Sequence, residues 1–108
     1  GKTALYYSRD VATAKLLLEG GAQVQTKSSN GGTPLQMAAL QGKVDLVQFF
    51  LDQGADIHAR TETGATALHQ AAWSGHLNVL RLLVAKGADI HITSDEGDTA
   101  LQMALGRG

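Results

Sequence analysis

With 108 residues the chain has room for one small domain or a short solenoid, burying roughly two-thirds of its unfolded surface. Nine Lys and Arg against ten Asp and Glu give a net charge of -1, which excludes the basic footprint used to bind nucleic acid; the lack of cysteine excludes a disulfide framework, a thiolate nucleophile and a thiolate zinc site. No apolar run approaches the ~18 residues of a spanning helix, and the N-terminus carries no basic-then-apolar secretion signal, so membrane insertion and export are not expected.

In chain order the first landmarks are Thr3-Ala4-Leu5 and Gly21-Ala22, and both return later. Thr33-Pro34-Leu35 predicts a helix start, with a capping hydroxyl followed by proline at the first helical position, where its missing N–H costs nothing. Leu35, Ala38 and Ala39 then fall at helical spacing, and the two alanines are small enough to let neighbouring helices approach closely. Gly42 marks a sharp reversal, since a positive φ is easily reached only by glycine. The apolar stripe of Val44, Leu46, Val47, Phe49, Phe50 and Leu51 predicts a second helix broad enough to touch both its partner and the next unit. Gly54 ends it, and polar residues from Asp56 to Gly64 fit a hairpin-like loop.

The whole pattern then recurs. Thr66-Ala67-Leu68 opens a helix containing His69, Ala71, Ala72 and Trp73; Gly75 reverses it; Leu77, Val79, Leu80, Leu82, Leu83 and Val84 form the next apolar stripe; Gly87 ends that, and Asp89 to Gly97 form a second polar loop. Thr99-Ala100-Leu101 begins a last helix, expected through Leu105, with no second helix after it. Thr33, Thr66 and Thr99 are spaced 33 apart, as are Gly21, Gly54 and Gly87. Two independent landmarks thus share one period, the signature of a repeat architecture.

The segments Gly32-Thr33-Pro34-Leu35-Gln36-Met37-Ala38-Ala39, Gly75-His76 and Gly87-Ala88-Asp89-Ile90-His91 resemble the ankyrin repeat signature, over essentially the whole chain. The resemblance implies an all-α fold, an ankyrin-repeat solenoid of stacked helix-turn-helix units joined by β-hairpin-like loops. It divides the single domain, 1–108, into repeats at 1–27, 28–60, 61–93 and 94–108. Thr3 lies 30 residues before Thr33 whereas Gly21 lies 33 before Gly54, so the first repeat is short by three residues between Ser8 and Arg9. The fourth is truncated. Neither end resembles a polar capping repeat, which solenoids need for solubility. The chain is therefore expected to be part of a longer array, or one whose ends meet another copy, which leaves self-association open.

Candidates for chemistry resolve into architecture. In the family, a histidine at the position of His69 hydrogen-bonds the threonine hydroxyl and neighbouring backbone; His76 fits the turn, and His58 and His91 take a loop position usually held by asparagine, bridging adjacent loops. Equivalent residues of stacked repeats lie ~8–10 Å apart, too far for shared metal ligation, so no metal or other cofactor is expected. Asp95, Glu96 and Asp98 lack the ligand spacing of a calcium loop and read as a solvated tip. Neither a phosphate loop nor a nucleophile–base set is present, so the chain is read as a non-enzyme. Hydroxylation of His58 or His91 follows from the resemblance alone, because asparagine at that position can be modified.

The resemblance also implies a concave groove lined by hairpin tips and the exposed side of each first helix. Carried across, its residues are Lys27, Ser29, Asn30, Gly32, Leu40 and Gln41; then Arg60, Glu62, Thr63, Ala65, Trp73 and Ser74; then Thr93, Asp95, Glu96 and Asp98. Trp73, the only tryptophan, follows the alanine pair and is turned towards the groove, with Leu40 its equivalent one repeat earlier. Tryptophan is over-represented among energetic hot spots, so this pair is the expected anchor. Lys2, Lys27 and Arg60 lie towards the start and Glu62, Asp95, Glu96 and Asp98 towards the end, a gradient that would orient a partner segment.

The function expected is that of an intracellular scaffold, cytoplasmic or nuclear, binding a protein or peptide on the groove. A regulatory domain holding a small molecule or lipid headgroup is the alternative; it needs convergent basic residues, and Lys27 and Arg60 alone qualify. An engineered ankyrin binder is a third, opposed by the shortened first repeat, the missing caps and the departures from consensus at Tyr6-Tyr7 and Gln25.

Overall fold

A computed structural model of the chain describes residues 10–21 and 32–107, with side chains through Met103. Thr3, Lys2, Lys27, Ser29, Asn30 and the shortened stretch between Ser8 and Arg9 lie outside the described residues.

Six helices occupy the described residues: α1 (Val11–Glu19), α2 (Pro34–Gln41), α3 (Val44–Asp52), α4 (Ala67–Ser74), α5 (Leu77–Ala85) and α6 (Ala100–Arg107). They form two rows. In one, α2, α4 and α6 pack successively; in the other, α1 packs on α3 and α3 on α5; α2 with α3, and α4 with α5, are antiparallel pairs joined by tight turns. Helices of eight or nine residues are too short to be stable alone, so their stability comes from this packing. The stacked row is made of small side chains: Ala38, Ala39, Ala71 and Ala72 are all buried, which lets the short helices lie close together. Larger groups fill the space between the rows, with Leu35, Val47, Phe50, Val79 and Leu83 buried. The broad stripe of α3 is used on every side, since it touches α2, α1 and α5. Among the described residues no helix is long and apolar enough to cross a membrane.

The helix starts expected at the threonines are present and double-sided. Thr33 Oγ1 accepts from the Gln36 amide at 3.3 Å while Gln36 Oε1 accepts from the Thr33 amide at 2.7 Å, a reciprocal cap. The same box forms at Thr66 with His69, whose Nδ1 takes the Thr66 amide at 3.1 Å. Both short helices close in the left-handed conformation at the expected glycines, Gly42 and Gly75, each at φ 75°. Lys43 N–H then reaches back to the Ala38 carbonyl and His76 N–H to the Ala71 carbonyl, both at 3.0 Å, satisfying carbonyls the helix ends would leave bare. Gly54 and Gly87, at φ 91° and 96°, end the second helices in the same way.

The last helix runs two residues further than its expected end at Leu105, to Arg107; helix ends are set by local hydrogen bonding, which Gly106 does not interrupt. α6 is the last helix described, and the leucine after each cap shows what a following first helix covers. Leu35 is 0% exposed under α4, Leu68 is 4% exposed under α6, and Leu101 is 66% exposed.

The two reversal glycines have different surroundings. A Cβ on Gly42 would stand 2.5 Å from His76 Nδ1, whereas one on Gly75 would meet nothing within 4 Å. Gly75→Ala should therefore lose only the left-handed preference, about 1–2 kcal/mol, while Gly42→Ala loses more. Urea unfolding of both, and of Gly42→Ala in a His76→Ala background, will show the excess at Gly42 shrinking once the ring is gone.

Candidate functional site

The loops between repeats are polar and lie against the first-helix row, so their backbone groups need partners there. Gln36 and His69 supply them. Gln36 Nε2 donates to the carbonyls of Ala59 at 2.6 Å and Ala65 at 3.2 Å. His69 Nε2 lies 2.9 Å from the Asp98 carbonyl, the equivalent of Ala65 one repeat on. With Nδ1 accepting from the Thr66 amide, the ring is placed as the Nε2–H tautomer, donating to Asp98. His69 is 2% exposed, as is Gln36. The expected structural role of this histidine is thus observed, and Gln36 performs it in the preceding repeat. In α6, Gln102 Oε1 again accepts from the amide of the capping Thr99, at 2.8 Å.

The remaining histidines also act as connectors. His76 Nε2 lies 3.0 Å from the Leu40 carbonyl, tying the start of α5 to the end of α2. His58 Nε2 accepts from the Asp89 amide at 3.0 Å, bridging adjacent loops as expected. At His91 the hydrogen bond seen is its own amide donating to the Asp89 carboxylate at 2.8 Å, the match of His58 with Asp56. No group of three His, Asp or Glu among the described residues could hold a metal ion.

The hairpin tips stack through backbone. Thr61 N–H donates to the Ala65 carbonyl and Ser94 N–H to the Asp98 carbonyl, each at 2.8 Å, closing two equivalent turns. Asp95 N–H then donates across the repeats to the Thr63 carbonyl at 2.8 Å. Gly64, at φ 78°, sits under this joint; a Cβ there would stand 2.4 Å from Asp95 Oδ1 and 2.9 Å from the Asp95 nitrogen, so the tips could not approach as they do. Arg60 clamps the same place, its Nε donating to the Gly64 carbonyl at 2.9 Å and its Nη2 to the Thr93 carbonyl. That engagement weakens any reading of Arg60 as half of an anion or lipid-headgroup site.

Beside this joint lies a depression of about 240 Å³ lined by Thr63, Ala65, His69, Gln70, Trp73, Glu96 and Met103. Trp73 is 54% exposed and Ala65 only 7%, so the indole stands at the side and the alanine closes the floor. Of the residues carried across from the family, Thr63, Ala65, Trp73 and Glu96 meet here. Glu62, Thr93 and Asp95 are exposed nearby on the tips, and Asp98 is half-buried with its carbonyl taken by His69. Gly32 is buried, Gln41 exposed and Ser74 half-buried, none of them lining the depression. Leu40 is half-buried and lies outside it too. A larger depression of about 620 Å³ runs from Asp10 and Val11 to Gly42, Lys43 and Leu46. It lies among the turns linking paired helices, where side chains of both signs meet, and brings together no convergent binding set.

Gln70 and Met103 are the residues that sequence reasoning missed. Both lie four positions after a capping threonine, as does Met37, so the period already grouped them. Their signal was variability, a polar group alternating with methionine at a half-buried position inside an otherwise repeated helix.

The family model for ankyrin repeats, in three copies, matches residues 2–94, and the chain belongs to that family. Ankyrin repeats generally serve as protein–protein interaction modules and are typically not enzymes. No curated protein matches the sequence.

Because Gln36 and His69 make equivalent bonds, His69→Gln should unfold within about 1 kcal/mol of wild type in urea, whereas His69→Ala, which strands the buried Thr66 amide and removes one of the two donors to the Asp98 carbonyl, should cost about 2–3 kcal/mol. Arg60→Ala should also lower stability, by about 1 kcal/mol, through the loss of its two loop carbonyl contacts.

Proposed function

We propose that the chain holds a partner protein or peptide against its concave face, inside the cell, with Trp73 as the anchor. The observation that carries this reading is the half-exposed indole at the edge of a depression that spans two repeats. Three other candidates have an architectural use: His69 and Arg60 satisfy carbonyls, and His58 bridges loops. Burial by a partner of a tryptophan exposed over half its surface removes a large apolar area from water. Ala65 and Met103 supply an apolar floor and far wall, while Thr63 and Glu96 supply polar groups at the rim, the distribution expected of a binding patch. The centre of the patch is Trp73 with Met103 across the repeat boundary, rather than Trp73 with Leu40.

Trp73→Ala should keep the helical circular dichroism of wild type while weakening partner capture roughly 30-fold, the effect of losing about 2 kcal/mol at a hot spot. Proteins captured by the wild-type chain with undiminished yield on Trp73→Ala would remove the indole from the interface.

A further inference from the structure

The depression around Trp73 is apolar on its floor and negative at its rim, and these two properties select a partner side chain. Glu96 lines it, and Glu62 is the chain neighbour of the lining Thr63. Among the described side chains, the cation beside the tips, Arg60, is turned into the loop joint, with Nη2 on the Thr93 carbonyl and within 3.0 Å of where a Gly64 Cβ would stand, beside the Asp95 carboxylate. Among the described side chains the charge that lines the opening is the Glu96 carboxylate, although the chain as a whole is nearly neutral. An aromatic face beside a carboxylate, over an alanine and a methionine, suits one side chain above others. Arginine has an aliphatic stem for Met103 and Ala65, a flat cation that stacks on indole, and a fork of donors that matches a carboxylate.

We propose that the groove between α4 and α6 takes an arginine-bearing peptide segment, its guanidinium stacked on Trp73 and paired with Glu96. This rests on the concave-face reading and adds the chemistry of the partner. Neutral or acidic segments lack the charge that the rim attracts, and lysine, a compact and strongly hydrated point charge, stacks less well on the indole.

The test is a random dodecapeptide library displayed on phage and selected on the whole chain, followed by fluorescence titration of the recovered peptides. Recovered sequences should share an arginine. Replacing it by citrulline, its uncharged isostere, should cost about tenfold in affinity against wild type and little against Glu96→Gln, while Trp73→Ala should cost about tenfold for every such peptide. Peptides that depend on Trp73 yet lack a shared arginine, or that tolerate citrulline and Glu96→Gln, overturn the arginine assignment and leave the concave-face reading standing. Peptides indifferent to Trp73→Ala, or no recovered peptide at all, overturn both. A wild-type chain that sediments as a dimer where Trp73→Ala sediments as a monomer gives the groove to a second copy and likewise overturns the assignment.

Discussion

A polar loop laid against a helix layer carries carbonyls that water no longer reaches, and α2 and α4 each satisfy them with one buried side chain. Gln36 and His69 stand three residues after their capping threonines, take the cap amide with one polar atom and reach the next loop with another. The span of that reach, 29 residues in both cases, fixes how each loop sits on the helix before it. Everything at the tips follows from it. Thr61 and Ser94 close equivalent turns, Asp95 meets the Thr63 carbonyl, and Gly64 leaves the room that this meeting needs.

The proposed binding face is what remains once those demands are met. Ankyrin architecture prescribes the threonine cap and the paired alanines, and Thr33, Thr66, Ala38, Ala39, Ala71 and Ala72 are all buried here. Trp73 comes immediately after the alanine pair, one residue beyond the packed face, so the helix that buries Ala71 and Ala72 also exposes the indole. Met103 belongs to the following helix at a different register, four after its cap, which is why the two meet across a repeat boundary rather than along one helix.

Periodicity made the helices, the reversals and the loops legible, because a cap, a small-residue pair and a glycine each have one physical use. The roles of His69 and His58 were legible through the resemblance to the ankyrin family. Harder to read was the equivalence of Gln36 and His69, since an amide and an imidazole look unlike until their bond geometry is compared. Arg60 was read as a groove cation, but a guanidinium beside a loop that bares carbonyls finds donors' work there first. Leu40 was paired with Trp73 by counting 33 residues, which tracks sequence position faithfully but not the curvature that decides which neighbours share a hollow. The last helix was read two residues short, because no sequence signal distinguishes Leu105 from Arg107 as its end.

In a stack where each repeat touches only its neighbours, cooperativity is shared out interface by interface. The hollow beside Trp73 belongs half to α4 and half to α6, so it exists only while the last helix is seated. Leu101 contributes little to that seating, and Ser94 Oγ is buried without a partner where Thr61, its counterpart, accepts two loop amides. A ligand that spans α4 and α6 thereby draws part of its affinity into holding α6 in place. Recognition and the seating of that helix become a single linked equilibrium.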